Sequence, residues 1–540
     1  MYVNGVRFVP MGGNWGFSEN NLCYRGREYD AAVRYHRDMH LNCIRNWVGQ
    51  IGDREFYEAC DRYGVMVWQD FWLANPADGP DPYDNEMFLR NARDMVLRLR
   101  QHPSIMLYCG RNEGYPPKAL DDSLRQLVSE LTAPSTEGTS PTLSTAPKAT
   151  LNRAEGASPT LSTAPKATLN SQLYISSSAD DGVSGHGPYW AIPAKEYYQR
   201  LSGKLHTERG MPNIMTFEGL SRTLRPEHLW PQSHYWGQHD FTLQGAQRGA
   251  SFNDMIARAF GEPKDAREFT TLAQWLNYDG YRAMYESANH ERQGLLIWMS
   301  HPTWPSMVWQ TYDYYFEPIA GYFGTKKACE PLHIQWNPLA DSVEVVNTGA
   351  GRCDGIAVAR LLDMHGVELW HNDRPFQSDN DTTISCFPVE LPQGYQGVYF
   401  LRLEAVSKPG AQPFSQNTYV CSTDTGNYQA LRQLPNAKVK VTKYQSDKVT
   451  KYQNDNASEK QDVTLSPCYF VTLENLSHEP ALMIRLNLKT PDGEQVLPVL
   501  YDDNYFHLMP GERRTIRVSW HPRDARAQQP DVEVTGFNIQ

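Results

Sequence analysis

Over its first 330 or so residues the chain alternates short apolar runs with amphipathic stretches, and this alternation restricts the fold more than any other feature. Apolar runs of four to eight residues read as strands covered on both faces, and the stretches between them as crossover helices, which is the pattern of a parallel α/β fold. Candidate strands are Arg7–Pro10, Cys43–Val48, Val65–Phe71, Ile105–Cys109, Leu173–Ser176, Lys204–Thr207 and Leu295–Ser300, with a further short one expected near His186–Ile192. Asp84 can cap a helix whose Leu89, Ala92, Val96 and Leu99 fall on one face, and His102-Pro103 ends it. Seven strands and a short eighth fit a closed (β/α)8 barrel over residues 1–330 better than an open sheet, although periodicity alone divides the two almost evenly.

One stretch breaks the pattern. SPTLSTAPKATLN occurs at Ser140–Asn152 and again, letter for letter, at Ser158–Asn170. A segment of Ser, Thr, Pro and Ala buries too little apolar surface to offset the entropy of ordering it, so residues 132–170 are expected to be a disordered, duplicated loop insertion. A smaller tandem, VTKYQSDK at Val441–Lys448 and VTKYQNDN at Val449–Asn456, is expected within a linker or loop at 438–460. From about residue 330 the texture becomes short alternating runs such as SVEVVN, GVYFLRLEA, CYFVTLENL and RRTIRVSW. These predict two all-β, immunoglobulin-like sandwiches, at 331–437 and 461–540.

Composition narrows the function. A net charge of −11 argues against nucleic acid or an anionic membrane as partner, since both need a basic footprint. Nine scattered cysteines show no CxxC pair and no Cys/His cluster, so neither a metal site nor a disulfide framework is expected. No apolar run approaches a membrane span, and the residues after Met1 lack the basic and apolar regions of a signal peptide. The 14 Trp and 30 Tyr exceed ordinary core needs, and flat aromatic faces suit stacking on sugar rings.

Glycoside hydrolysis needs two carboxyl groups flanking the scissile bond, and on a barrel these belong at the C-terminal ends of strands. Glu113, in CGRNEG, and Glu208, in HTERG, each follow an apolar strand and each is followed closely by Gly. Glu218, in MTFEGLS, also follows an apolar run and competes with Glu208.

The stretches MGGNWGFSENN, MHLNCIRNWVGQIGDREFYEACDRYGVMVWQDFW and RQHPSIMLYCGRNEG resemble the catalytic barrel of glycoside hydrolase family 2. The likeness is greatest to the branch of β-mannosidases, endo-β-mannosidases and exo-β-D-glucosaminidases. LLIWMSHPTWPSMVWQTYDYYFEPIAGYFGTKKACEPLHIQW resembles the exo-β-glucosaminidases most. The resemblance implies that Glu113, after Asn112, is the acid/base and that Glu208, in Thr207-Glu208-Arg209-Gly210, is the nucleophile. Arg209 departs from the aromatic found there in many relatives; adjacent strand residues face opposite ways, so it is expected to leave Glu208 unaffected. Arg45 is implied to bond near the nucleophile and keep it ionised at neutral pH, and Asn112 to bind the sugar 2-position. Asn14, Trp15, Trp47 and Asp70 are expected to line the pocket, with Trp298 as a floor under the sugar. Tyr189 and Trp190 are assigned to the short sixth strand, and His186 to a loop.

The expected activity is retaining hydrolysis of O-glycosidic bonds, releasing β-linked mannose or glucosamine from an oligosaccharide or glycan, with no cofactor. The alternative is a catalytically impaired remnant that at most binds carbohydrate. The family places a β-sandwich and an immunoglobulin-like domain before the barrel, so the chain is expected to be N-terminally truncated and to leave an apolar face uncovered. A periplasmic or secreted location is expected of the full-length relatives. Oligomeric state is left open.

Overall fold

The computed structural model describes residues 2–3, 6–16, 27–133, 172–349, 351–446 and 467–539. The long repeat insertion and the second copy of the smaller tandem lie almost wholly or entirely outside them.

Seven parallel strands form one curled sheet: β1 (Met11–Trp15), β2 (Cys43–Asn46), β3 (Met66–Asp70), β4 (Ile105–Arg111), β5 (Leu173–Ser177), β6 (His206–Arg209) and β7 (Leu295–Ile297). Their spatial order is β5-β4-β3-β2-β1-β7-β6. The gap between β5 and β6 is spanned by a single parallel bridge from Ser184 to His206 rather than by a strand near His186–Ile192. The Gly- and Pro-bearing run there offers little continuous pairing, so one residue stands where a strand was expected. The barrel-like fold is as expected; among the described residues its curled sheet carries seven strands, with the Ser184 bridge on β6.

The first strand lies four residues later than its apolar run suggests, in the glycine-rich MGGNW. The glycines are required by close approach. A Cβ on Gly12 would fall 1.8 Å from the Cys43 carbonyl oxygen. The helix capped by Asp84 forms as expected, over Asn85–Leu99, with the Asp84 carboxylate accepting from the Met87 amide at 2.9 Å.

Beyond the helix Ala320–Ala328 the chain becomes antiparallel. A three-stranded sheet (Leu332–Asn337, Ser342–Asn347, Thr382–Pro388) faces a four-stranded one (Cys353–Asp363, Glu368–Ser378, Val398–Val406, Ser415–Ser422), and Ile334, Val345, Leu361 and Leu401 fill the space between. The last sandwich starts earlier than expected. Val439–Ser446, expected within a linker, is an eight-residue strand paired antiparallel with Cys468–Asn475. Its alternation was hidden by mostly exposed polar and charged residues, as suits an edge strand. This sandwich also packs on the barrel, where the Tyr35 hydroxyl contacts both the amide and the carbonyl of Val499.

Candidate active site

The C-terminal ends of the strands gather the expected residues around two carboxyls. Strand alternation decides which side chains reach them, because successive residues point to opposite faces. On β2, Arg45 points inward and Asn46 outward, where it holds Ile51, Tyr57 and Gln69. On β6, Glu208 points inward, whereas Arg209 lies over the Tyr197 ring and donates to the Arg200 carbonyl. Gly210 must be glycine, since a Cβ there would lie 1.8 Å from the Trp298 carbonyl oxygen.

Arg45 is fully buried and joins three strands. Its Nη1 donates to Glu208 Oε1 at 2.7 Å, its Nη2 to Asp70 Oδ2 at 2.8 Å and Asn112 Oδ1 at 2.6 Å, and its Nε to Asp70 at 3.1 Å. Asp70 also accepts from the Val48 amide and from Trp68 Nε1. Fixed in this way, the guanidinium is a permanent charge against one carboxyl. Its pKa is driven further up by Asp70 and Glu208, against burial, the largest influence, which opposes the charge.

Glu113 lies two residues beyond β4 and keeps 18% of its side-chain surface exposed. It has a left-handed backbone at φ 43°, uncommon for a residue with a side chain, so the turn is made at the carboxylate itself rather than at Gly114. Its amide donates to Ser178 Oγ at 3.0 Å, and the same hydroxyl donates to Asn112 Oδ1 at 3.2 Å. The Ser178 carbonyl accepts from Thr207 Oγ1 at 2.6 Å. One serine just after β5 thus ties the two glutamate-bearing segments together.

Tyr189 joins the carboxyls directly. Its hydroxyl is 3.0 Å from Glu113 Oε1 and 2.8 Å from Glu208 Oε2. Burial beside two carboxylates pushes this phenol well above its ordinary range, so it keeps its hydrogen. Burial also pushes Glu208 up to about 7, with Glu113 adding to the rise and with Arg45 and Tyr189 pulling the other way. Arg45 therefore offsets the cost of burial only in part, and ionisation of Glu208 extends up through neutral pH rather than being complete below it.

Trp298, immediately after β7, and Trp47 form an aromatic wall with Tyr189 and Trp309. Trp298 meets Trp47 edge-on at 4.9 Å between centroids, and Trp309 Nε1 donates to the Tyr189 carbonyl. Two expectations for this wall are corrected. Trp15 has no exposed surface and lies in the outer core against Tyr29, His36, Phe56 and His301. The cause is alternation: Asn14 takes the inward position on β1, so its neighbour faces away. Asn14 and Asp70 are likewise fully buried, beneath the wall rather than on it. Asn14 Nδ2 donates to the Thr207 and Ile297 carbonyls at 2.8 and 3.0 Å, which ties β1 to β6 and β7.

Glu218 lies apart from the two carboxyls. It stands in the first turn of the helix Phe217–Thr223, paired with Arg485 at 3.2 Å and facing Lys489 of the last sandwich. Asp181 accepts from the Ser176 amide and is structural. Trp190 lies under Arg248, whose guanidinium carbon is 3.5 Å from the ring centroid. Sequence reading gave no role to Ser178, Trp309 or Asn75, whose Nδ2 is 3.5 Å from Glu113 Oε2, and it saw Tyr189 only as a strand residue. The one available signal was aromatic: Tyr189 in GPYW and Trp309 in MVWQ lie in loops, where large aromatics have no obvious core to fill. Among the described residues, no group of three His, Cys, Asp or Glu side chains could hold a metal ion.

The chain as a whole is similar to known proteins. Residues 417–539 match the family model of the exo-β-D-glucosaminidase Ig-fold domain. Over 99% of its length the chain is 26% identical to a mannosylglycoprotein endo-β-mannosidase of Lilium longiflorum and 26% identical to an exo-β-D-glucosaminidase of Streptomyces avermitilis. Along almost its whole length the chain is thus similar to an endo-β-mannosidase and to exo-β-D-glucosaminidases. It covers 63% and 60% of those two relatives, about three-fifths of their length. Its fold is that of the exo-chitosanase CsxA of Amycolatopsis orientalis (TM-score 0.82, 20% identity, 100% of this chain and 64% of that one). The β-D-mannosidase of Dictyoglomus thermophilum is also similar (TM-score 0.75, 19% identity, 99% and 61%). A barrel followed by immunoglobulin-like sandwiches is thus an architecture that this chain shares with them.

Proposed function

We propose that this chain is a retaining β-glycosidase that releases β-linked mannose or glucosamine from oligosaccharides, with Glu208 as nucleophile and Glu113 as acid/base. The observation that carries this reading is the Tyr189 hydroxyl in reach of both carboxyls. Two hydrogen bonds of 3.0 and 2.8 Å laid end to end are shorter than the ~6.5 Å at which inverting geometry begins, and close to the ~5–5.5 Å of retaining enzymes.

Tyr189 also supports a division of roles. A phenol has one hydrogen, so it donates to one carboxyl and can only accept from the other. Two close carboxyls share a proton, and the cation beside one of them decides where the negative charge rests. Arg45 touches Glu208 and not Glu113. Once Glu208 is ionised, towards and above pH 7, Arg45 holds the charge in place for attack on the anomeric carbon, and Glu113 is the group left to supply a proton to the departing oxygen. In the second step Glu113, now a carboxylate, takes a proton from water, which releases the sugar with retained configuration. Asn112, whose Oδ1 is held by Arg45 and Ser178, turns the rest of its amide to the sugar 2-position.

The test is hydrolysis of 4-nitrophenyl β-mannoside and β-glucosaminide, with the first-formed anomer read by NMR. Wild type should release the β-anomer from at least one substrate, and Glu208→Ala should lose about 10³-fold or more in kcat/KM. Release of the α-anomer first, or an alanine variant as active as wild type, refutes the assignment. A chain that turns over neither substrate favours the impaired reading.

A further inference from the structure

Glu113 has a neighbour to which the division of roles above gives no task. The backbone on either side of His186 is laid against β6. The Ser184 amide donates to the Leu205 carbonyl, the Thr207 amide to the Ser184 carbonyl at 2.7 Å, and the Gly187 amide to the Glu208 carbonyl at 3.1 Å. Gly185 admits no side chain, since its Cβ would meet Thr207 Oγ1 at 2.0 Å, and Gly187 takes a left-handed φ of 73°. His186 is thus clamped to the strand that carries Glu208 while 60% of its side chain stays exposed.

Its two ring nitrogens face two carboxylates. Nδ1 is 3.3 Å from Glu113 Oε1, and Nε2 is 3.7 Å from Asp180 Oδ1. Asp180 is held in turn by the Ser177 hydroxyl, 3.4 Å from its Oδ2. Other titratable groups near the pair are Tyr189, on the same Glu113 oxygen, Glu208, whose carboxyl and that of Glu113 repel as anions, and His206 of β6. Burial pushes His206 down to about 3, so it adds no cation to the cluster.

A neutral imidazole has one N–H and one bare nitrogen, whereas an imidazolium has two N–H groups. When Glu113 carries its proton, neutral His186 can accept it at Nδ1 and donate from Nε2 to Asp180. When Glu113 is an anion, the same proton can sit on Nδ1. The proton moves between Glu113 Oε1 and His186 Nδ1 with no other bond made or broken.

We propose that His186, oriented by Asp180, is a positioning residue for Glu113, sharing its proton and holding its carboxyl toward the leaving group. This rests on the glycosidase reading. The acid/base group alternates between neutral and charged in each turnover, and His186 supplies a partner suited to both states. Its exposed edge lets the shared proton exchange with solvent between steps.

His186→Gln keeps reach and a donor but removes titration, and Asp180→Asn removes only the orienting charge. Both are made in the full chain and assayed on aryl β-glycosides of whichever sugar the wild type cleaves. A phenyl leaving group needs protonation and a 2,4-dinitrophenyl group does not. On the phenyl substrate we expect kcat/KM of His186→Gln to fall about tenfold and the alkaline limb of its pH profile to move to lower pH; on the dinitrophenyl substrate the loss should stay below about twofold. Asp180→Asn should show the same pattern in smaller measure. Equal losses on both substrates, or an unmoved alkaline limb, overturn the proposal. A second readout does not need turnover. In 15N-histidine spectra at fixed neutral pH, the His186 ring signals should move toward neutral imidazole when Glu113 is replaced by Gln, and unchanged signals overturn the proton sharing. If the wild type cleaves no glycoside, the glycosidase reading fails on its own and the spectra alone decide whether the pair shares a proton.

Discussion

Replacing Glu208 by glutamine keeps the shape of the site and removes its ability to ionise, so the variant isolates what the buried charge costs the fold. Burial pushes the Glu208 carboxyl up to about 7 from an ordinary value of 4.5, even with the Arg45 contact included. The folded state therefore holds a proton that the unfolded chain has released, and between pH 4.5 and about 7 it binds more protons than the unfolded state. Stability must fall as pH rises across that window. Each tenfold in proton affinity is about 1.36 kcal/mol, so the gap amounts to about 3 kcal/mol, fully felt above pH 7 and absent below 4.5. At roughly 2 °C or more per kcal/mol for a domain of this size, Glu208→Gln should melt on the order of 5 °C above wild type at pH 8.5 and together with it at pH 4. The assay is paired thermal scans of the two proteins across pH. Only their difference is read, because other titrating groups cancel in it and a multidomain chain has no single unfolding free energy. A difference that does not change with pH, or a glutamine variant that becomes the less stable at high pH, refutes the reasoning. The second outcome would mean that the ion pair with Arg45 outweighs burial.

Arg45→Met should leave Asp70 as a buried, unpaired carboxylate, lower stability by about 3–5 kcal/mol and abolish glycoside hydrolysis; a melting temperature within 2 °C of wild type would contradict the three-way anchoring. Because Glu113 has a left-handed backbone, Glu113→Gly should be more stable than Glu113→Ala by about 1 kcal/mol in denaturant titrations, although glycine usually destabilises; the opposite order would mean the turn carries no strain. Trp15→Ala should cost about 3–5 kcal/mol as a core truncation, whereas Trp298→Ala should weaken substrate binding with a smaller loss of stability; a KM effect confined to the Trp15 variant would restore that residue to the pocket wall.

What the sequence disclosed follows the range of the interactions concerned. Repeated apolar runs reveal a parallel sheet because every strand meets the same two-sided burial, and the alternation after residue 330 reveals sandwiches for the complementary reason. Val439–Ser446 escaped notice because an edge strand of exposed residues has no apolar face to announce it. The missing eighth strand shows the opposite limit: ring closure needs only the Ser184 bridge and side-chain contacts such as Thr207 to Ser178, which leave no periodic trace.

The site divides in the same way. That Glu113, Glu208, Arg45 and Asn112 come together at one end of the sheet was legible because each sits in a distinctive string at or just beyond a strand end. Their neighbours were misjudged where only parity decides. Trp15 and Asn14 are adjacent and equally plausible as wall residues, but a strand can turn just one of them inward, and the inward one is further removed from the surface by bonds to β6 and β7. Ser178, Tyr189 and His186 come from the irregular segment between β5 and β6, whose shape depends on contacts with strands distant in sequence. That segment nevertheless supplies the side chains that stand against both carboxyls. Of the two glutamates, Arg45 touches Glu208 and His186 stands against Glu113, while Tyr189 has one hydrogen to give to both. Two glutamates with similar strings around them are therefore made unlike by what the loop and the second strand place beside each, and the proposed division into nucleophile and acid rests on this inequality more than on the presence of two carboxyls.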